Sequence, residues 1–212
     1  QMILSLIAFA VIHFAYATDA APLQDFCVAE LTGAVRVNGF PCKDPATVDA
    51  EDFFYRGMDK RGNVSNPSGS KVTLINVSAL PGLNTLGISI ARVDYAPYGV
   101  NAPHFHPRAT EILTVLRGKL LVGFVSSNRL ITKVVRKGDV FVFPTGLVHF
   151  QYNLRNSGAL AISGLSSQNP GRFTVAGATF GTEPPFPPRV LSVAFQIDEK
   201  LVEKLQSTSW EL

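Results

Sequence analysis

The sequence predicts an all-β domain of the sandwich or barrel type. Eight short runs rich in β-branched and aromatic residues lie between residues 71 and 165, with Gly, Pro or Asn roughly every 8–12 residues. Of the 212 residues, 46% are hydrophobic and 17% are charged, so the chain can fill a core and is not intrinsically disordered. A single all-β domain of this length is common.

The elements are expected in a simple order along the chain. Strands are predicted at residues 72–77, 87–95, 110–116, 119–125, 130–135, 140–143, 148–154 and 159–165. Four prolines between residues 181 and 188 exclude regular structure there. Beyond them, Asp198 can cap a short helix, with Ile197 and Val202 as its hydrophobic staple. Leu201 and Leu205 extend that apolar face, which we expect to dock on the core or on another subunit.

The N-terminal residues predict export from the cell. Residues 1–17 contain no Lys, Arg, Asp or Glu, and residues 2–11 are almost entirely apolar. Small residues at Ala15 and Ala17 match a signal-peptidase site, so we predict a signal peptide cleaved after about Ala17. A membrane anchor is the alternative, but the run is shorter than the ~20 residues that a span needs. No later segment is apolar enough to span a membrane.

Two further features agree with secretion. Cys27 and Cys42 are the only cysteines, and an oxidising compartment would pair them, although two buried thiols are the alternative. Asn63 and Asn76 each begin an Asn-x-Ser sequon and are candidate glycosylation sites. Two cysteines are too few for a four-cysteine zinc site. The net charge of +3 is too small and too dispersed to indicate a nucleic-acid partner.

The histidines are few and are grouped. His13 lies in the predicted signal peptide, which leaves His104, His106 and His149. A His-x-His pair on a strand places both rings on one face, and Glu111 follows five residues later. Three imidazoles and one carboxylate without a thiolate would suit Mn, Fe, Ni, Co or Zn. Two ordinary strand histidines are the alternative interpretation of such a pair.

The spacing around these residues favours the metal site. His104-x-His106, four residues, Glu111, six residues and Gly118 form the first cupin motif. The second motif is formed by Gly138, Pro144, Gly146, His149 and Asn153 at the expected spacing, and the glycines serve turns. One position departs from the first motif: Tyr98 stands where glycine is expected, with Gly99 beside it.

Four more segments, residues 24–29, 81–87, 106–111 and 168–171, extend the likeness. With them the chain resembles the germin-like proteins of plants from about Leu23 to Leu205. The resemblance implies a single jelly-roll cupin barrel, usually assembled as a hexamer of three dimers and secreted to the apoplast or cell wall. It also implies a disulfide between the two cysteines, and a manganese ion held by the positions matching His104, His106, Glu111 and His149. The Arg-Gly-Asp that often follows the first motif is absent, since residues 117–119 are Arg-Gly-Lys.

These interpretations divide the chain into four segments. Residues 1–17 form the signal peptide, residues 18–70 an N-terminal extension with the disulfide loop, and residues 71–180 the cupin barrel. Residues 181–212 form a Pro-rich segment and a C-terminal helical extension.

The resemblance implies two oxidoreductase activities that produce hydrogen peroxide: superoxide dismutation and oxalate oxidation. Family oxalate oxidases place two asparagines near the metal, which match Asn101 and Ala91 here. Ala91 offers no hydrogen-bond donor, and a lost donor to a charged substrate costs about 1.5–3 kcal/mol, so superoxide dismutation is favoured over oxalate oxidation. The expected small-molecule partner is superoxide or a small carboxylate. A role in plant defence or stress is implied by the family. The alternative is a non-enzymatic, wall-associated protein whose metal stabilises the barrel.

Overall fold

The computed structural model describes residues 25–32 and 39–210, so the predicted signal peptide lies outside the described residues. Ten strands are described: β1 (Ser70–Ile75), β2 (Ser89–Tyr95), β3 (Val100–Phe105), β4 (Glu111–Arg117), β5 (Lys119–Ser126), β6 (Arg129–Arg136), β7 (Val140–Phe143), β8 (His149–Asn153), β9 (Ala159–Leu165) and β10 (Phe173–Thr174). They are followed by the helices α1 (Val175–Phe180), α2 (Pro188–Phe195) and α3 (Glu199–Gln206). Single 3-10 turns lie at Pro45–Thr47, Ala50–Phe53 and Pro81–Leu83.

The strands form two five-stranded sheets. The first sheet has the order β1-β2-β9-β4-β7 and the second has the order β10-β3-β8-β5-β6. Every pairing is antiparallel, and neighbours in a sheet are mostly distant in the sequence, as in β2 with β9 and β3 with β8. This arrangement confirms the predicted all-β class and its jelly-roll form.

The eight predicted strands are all present, and β1 shows the largest shift, from the expected 72–77 to Ser70–Ile75. Two strands beside the site were not predicted. β3 contains Pro103, which has no N–H to donate, and its register with β8 shifts between Asn101 and His104. Proline and bulges break the alternation by which a strand is recognised. β10 has only two residues and shows no periodicity.

The backbone conformation of the turns accounts for the glycines of the two motifs. Gly118, Gly138 and Gly146 have φ values of 94°, 89° and 75°, a region that favours residues without a Cβ. Tyr98, which replaces the expected glycine, also has a positive φ of 57°. The turn before β3 therefore keeps the backbone shape of the motif, with a side chain that is disfavoured there by roughly 1–2 kcal/mol.

The main core lies between the two sheets. Its members are apolar side chains from β2, β4, β5, β6, β7 and β9 and are at most 2% exposed: Val93, Tyr95, Leu113, Val115, Leu120, Val122, Val135, Phe143, Ala159 and Ala161. A smaller cluster is formed by Ala91, Ala109 and Leu165, and Val72 packs against both clusters. The second cluster borders the cavity described below.

The C-terminal helices agree in part with the expectation. Asp198 caps α3, since its carboxylate accepts a hydrogen bond from the Lys200 N–H at 2.7 Å. Val202 is fully buried but Leu201 is 44% exposed, so only part of the predicted apolar face is covered. The exclusion of regular structure over residues 181–188 was wrong at its last residue, because Pro188 begins α2. Proline is tolerated there because a first-turn N–H has no intrahelical acceptor. Among the described residues, no helix has the length and apolar character of a membrane span.

A disulfide closes a loop within the N-terminal segment, and a buried ion pair fastens the segment to the first sheet. Cys27 and Cys42 form a disulfide, with the two Sγ atoms 1.98 Å apart. Further along, Arg92 and Asp94 on β2 form a buried ion pair with two N–O distances of 2.8 Å. The Gly62 N–H donates to Asp94 at 2.9 Å, and Arg92 donates to the Met58 carbonyl at 2.8 Å. The pair therefore ties residues 58–62 to the sheet.

Candidate metal centre

Three strands bring the four predicted ligands together. His104 lies on β3, His106 directly follows that strand, and Glu111 and His149 are the first residues of β4 and β8. All four are at most 7% exposed, and one potential ligand atom from each lies within 4.8 Å of the others. The sequence-predicted cluster is thus a compact group at one end of the space between the sheets.

Main-chain carbonyl groups fix the orientation of all three imidazoles. His104 Nδ1 lies 2.7 Å from the Ala102 carbonyl oxygen, and His149 Nδ1 lies 2.9 Å from that of Leu147. His106 Nδ1 contacts the carbonyl oxygen of Gly171. Since a carbonyl only accepts, each Nδ1 carries a proton, which leaves Nε2 as the ring atom that can bind a cation. The Phe143 ring stacks on His149, with centroids 4.5 Å apart, and restrains that ring further.

Glu111 lies at the middle of the cluster. Its Oε2 is 3.1 Å from His106 Nε2 and 3.2 Å from His149 Nε2, while its Oε1 accepts a hydrogen bond from the Ser163 hydroxyl at 2.7 Å. Burial raises the pKa of the Glu111 carboxyl, but its contacts with His106, His149 and Ser163 lower that pKa more, to below its ordinary range. Glu111 is therefore a carboxylate at neutral pH.

These donors fit a divalent cation. The Nε2 atoms of His106 and His149 lie 3.1 and 3.2 Å from one carboxylate oxygen of Glu111, so a single cation could contact all three atoms. Burial, followed by the charges of His149 and Arg172, lowers the pKa of His104 to about 3, so its imidazole is neutral at neutral pH. Three imidazoles and one carboxylate suit a first-row transition metal, and hydrogen bonds from Nδ1 to carbonyl groups orient such ligands in metal sites.

A cavity of about 350 Å³ lies beside the four side chains. Its polar side is formed in part by Asn101, His104, His106 and Arg172 from β3 and the segments after β3 and before β10. Its apolar side is formed by Val72, Leu74, Ala91, Val93 and Leu165 on β1, β2 and β9. Lys71 also lines the cavity and is exposed. The volume lies at the lower end of the range for ligand pockets, about 300–1,000 Å³, so the cavity suits a small molecule.

A chain of buried polar groups extends from the core to this cavity. Gln151 Oε1 accepts hydrogen bonds from the Tyr95 hydroxyl at 3.3 Å and from Asn101 Nδ2 at 2.6 Å. Asn101 Oδ1 in turn accepts a hydrogen bond from the Arg172 guanidinium at 3.1 Å. Burial, and then the charges of Glu111 and Asp94, raise the pKa of the Tyr95 phenol well above its ordinary value, so it remains a donor.

The structure places the other predicted residues as follows. Asn101 lines the cavity beside the candidate metal ligands, and Ala91 lines its apolar side. The sequons lie on the surface side of the fold: Asn63 is exposed, and Asn76 is partly exposed. Sequence reasoning missed Arg172, Ser163 and Gln151. Ser163 and Gln151 carry no motif signal, although Gln151 lies two residues after His149 and therefore on the same face of that strand.

Comparisons with known proteins agree with this geometry. Residues 56–203 match the cupin family model. A solved structure of recombinant oxalate oxidase in complex with glycolate is 48% identical to this chain, with a TM-score of 0.85, over 90% of this chain and 97% of the other. The two-sheet fold with its three histidines and one glutamate therefore defines a cupin.

Proteins with similar sequences identify the group within the cupin family to which the chain belongs. A putative germin-like protein 2-1 from Oryza sativa subsp. japonica is 57% identical over 196 residues, which cover 91% of each chain. Germin-like protein subfamily 1 member 14 from Arabidopsis thaliana is 54% identical over 213 residues, covering 98% of this chain and 96% of the relative. The chain belongs to the germin-like proteins of the cupin family.

Proposed function

We propose that this chain is a secreted, manganese-binding germin-like protein that converts superoxide to dioxygen and hydrogen peroxide. His104, His106, Glu111 and His149 would hold the manganese ion. The observation that carries the proposal is the convergence of four buried donors within 4.8 Å beside a cavity that admits a small molecule. Bound manganese supplies reversible one-electron redox chemistry, and the balanced reaction converts two superoxide ions and two protons to one dioxygen and one hydrogen peroxide.

The residues around the cavity support an anionic substrate. Arg172 and Lys71 both line the cavity and bring positive charge, while the Glu111 carboxylate is turned towards the histidines. Clefts lined by one sign of charge raise the local concentration of the opposite ion. Asn101 is held by Gln151 and Arg172, so its amide is oriented before any substrate arrives. Superoxide needs only access and charge attraction, which this cavity offers.

Oxalate oxidation is a weaker candidate for this cavity. Ala91 lies on the apolar side, packed near Val72, Leu74 and Leu165, where the resemblance places a second asparagine in oxalate oxidases. A second carboxylate placed against these side chains would lose its hydrogen bonds to water without replacement. We therefore expect little oxalate turnover even when the metal site is filled.

Homo-oligomer formation, up to the hexamer implied by the family, is part of the proposal. On the outer face of the first sheet, Ile90, Ile112, Val140 and Val142 are between 41% and 55% exposed, and the register brings Ile112 opposite Val142. On α2, Val190, Val193 and Phe195 are between 50% and 61% exposed. Contiguous exposed apolar patches of this kind mark interaction surfaces. Secretion to the apoplast and glycosylation at Asn63 and Asn76 complete the proposal and agree with the disulfide.

The decisive experiment uses natively purified protein. Elemental analysis first establishes which ion is bound, and a xanthine-based assay then measures the removal of superoxide. We expect manganese and metal-dependent dismutation in the wild type, and loss of both in His106→Ala. Protein that is fully occupied by manganese yet does not remove superoxide would overturn the enzymatic proposal. If His106→Ala assembles normally and keeps the implied defence or stress role without metal, the non-enzymatic alternative is correct.

A further inference from the structure

Arg172 is a cation held in a fixed position on the polar side of the cavity. It follows Gly171, whose carbonyl contacts His106, and precedes β10, which pairs with β3. Its guanidinium donates to Asn101 at 3.1 Å, and it lines the same cavity as the candidate metal ligands. A guanidinium has five N–H donors arranged to match a carboxylate, so this side chain can serve Asn101 and an anion together.

The hydrogen-bond chain behind Arg172 is completely buried. Asn101 is 3% exposed and Gln151 is 0% exposed, and the two side chains are joined at 2.6 Å. The Asn101 amide, which orients Arg172, is therefore itself held in place by the buried Gln151. Preorganisation of this kind reduces the side-chain entropy that is lost on binding a ligand, which distinguishes Arg172 from an exposed surface cation such as Lys71.

The apolar side of the cavity completes the recognition surface. Ala91 and Leu165 are each 4% exposed and pack with Leu74, and no hydrogen-bond donor on these side chains faces a ligand. A ligand with two carboxylates would place one of them there at a cost, whereas a short hydrocarbon chain would be favoured. The cavity therefore combines one charged anchor with one hydrophobic surface.

We propose that the cavity binds small aliphatic monocarboxylates, with Arg172 pairing the carboxylate and the Ala91 side receiving the hydrocarbon chain. The inference deepens the proposed function, on which it rests for a filled metal centre. Arg172 is then the residue that determines specificity for the ligand, as distinct from the four side chains that hold the ion.

Isothermal titration of the metal-loaded protein tests this ligand class. Acetate, propionate, butyrate and oxalate are titrated at constant ionic strength, and the metal content is measured before and after each titration. We expect affinity to rise about fourfold for each added methylene, because each buried CH₂ contributes a roughly constant increment. Butyrate should also bind more tightly than oxalate. Equal affinities for acetate and butyrate would overturn the proposal.

Matched variants separate the anchor from general electrostatics. Arg172→Gln should weaken butyrate binding by about tenfold or more, because a charge-assisted hydrogen bond is lost. Lys71→Gln removes the same charge from the same cavity and should change the affinity far less. Arg172→Lys keeps the charge but lacks the planar guanidinium, so its affinity for butyrate should be intermediate. Equal losses in Arg172→Gln and Lys71→Gln would show that Arg172 has no specific role.

A variant of the apolar side provides an independent check. In Ala91→Asn, the affinity for the monocarboxylates should depend less on the length of the hydrocarbon chain, while Arg172 is left in place. An unchanged chain-length dependence in Ala91→Asn would contradict the assignment of that surface. The superoxide assay is separate from these titrations, so failure of dismutation with intact butyrate binding would reject the enzymatic proposal and leave the carboxylate site standing.

Discussion

Removing the Ser163 hydroxyl probes how the candidate metal centre is supported, because Ser163 contacts a ligand without being one. The hydroxyl donates to Glu111 Oε1 at 2.7 Å, which leaves Oε2 directed at His106 and His149. A hydrogen bond to a charged group contributes about 1.5–3 kcal/mol, and about 1.4 kcal/mol corresponds to tenfold in affinity. We therefore expect Ser163→Ala to weaken manganese binding about 10- to 100-fold, as substitutions that support metal ligands commonly do.

Competition against a chromophoric chelator at neutral pH measures this effect. Ser89→Ala is the matched control, since Ser89 is buried on the neighbouring strand β2 and its hydroxyl has no hydrogen-bond partner among the described residues. Its manganese affinity should remain close to that of the wild type. If Ser163→Ala binds manganese as tightly as the wild type, Ser163 does not support the carboxylate. If both variants lose affinity equally, the effect is one of packing.

Three other predictions concern stability and assembly. Asp94→Asn should lower the free energy of unfolding by about 3–5 kcal/mol in urea, because it leaves Arg92 buried without its counter-ion. Burial raises the pKa of Asp94, but its hydrogen bonds with Arg92 and the Gly62 N–H lower that pKa more. The stabilisation is therefore present at neutral pH and is lost in the wild type as the pH falls below about 3.9. A difference in unfolding free energy between the two proteins that does not change with pH would contradict this. Cys27→Ser with Cys42→Ser should cost about 3 kcal/mol, measured by thermal unfolding, and an unchanged midpoint would contradict the role of the disulfide. Ile112→Lys should reduce the oligomer mass measured by light scattering, whereas Lys133→Glu on the second sheet should leave it unchanged; an unaltered mass in Ile112→Lys would exclude that face from the interface.

The sequence was most informative for features that depend on local backbone conformation, such as turns and strands. The motif glycines predicted turns, and Gly118, Gly138 and Gly146 do have positive φ values. The alternation of apolar residues located eight strands, because those strands cover the core with one face. The grouping of His104, His106, Glu111 and His149 followed from spacing known in a family, and the structure brings the four together.

The missed features depend on contacts between distant parts of the chain. β10 exists because its two residues pair with β3, which no local pattern reveals. Arg172 lines the cavity because the segment from Gly171 crosses beside His106, at a separation of 65 residues. Its side chain would have appeared solvated in any local window. The start of helix α3 was predictable from Asp198, but the exposure of Leu201 was not, because burial depends on what packs against the helix.

The contact between His106 and Gly171 also orders events during synthesis of the chain. The carbonyl group that orients this histidine is made 65 residues after it, so a growing chain has the His-x-His pair long before the pair can be held. His149, likewise, follows Glu111 by 38 residues. Metal binding and the final folding of such sites are linked, so an ion would be captured at this site only when nearly the whole chain is available. An ion bound at this site would therefore reflect the surroundings in which the last strand docks, and not those in which translation begins.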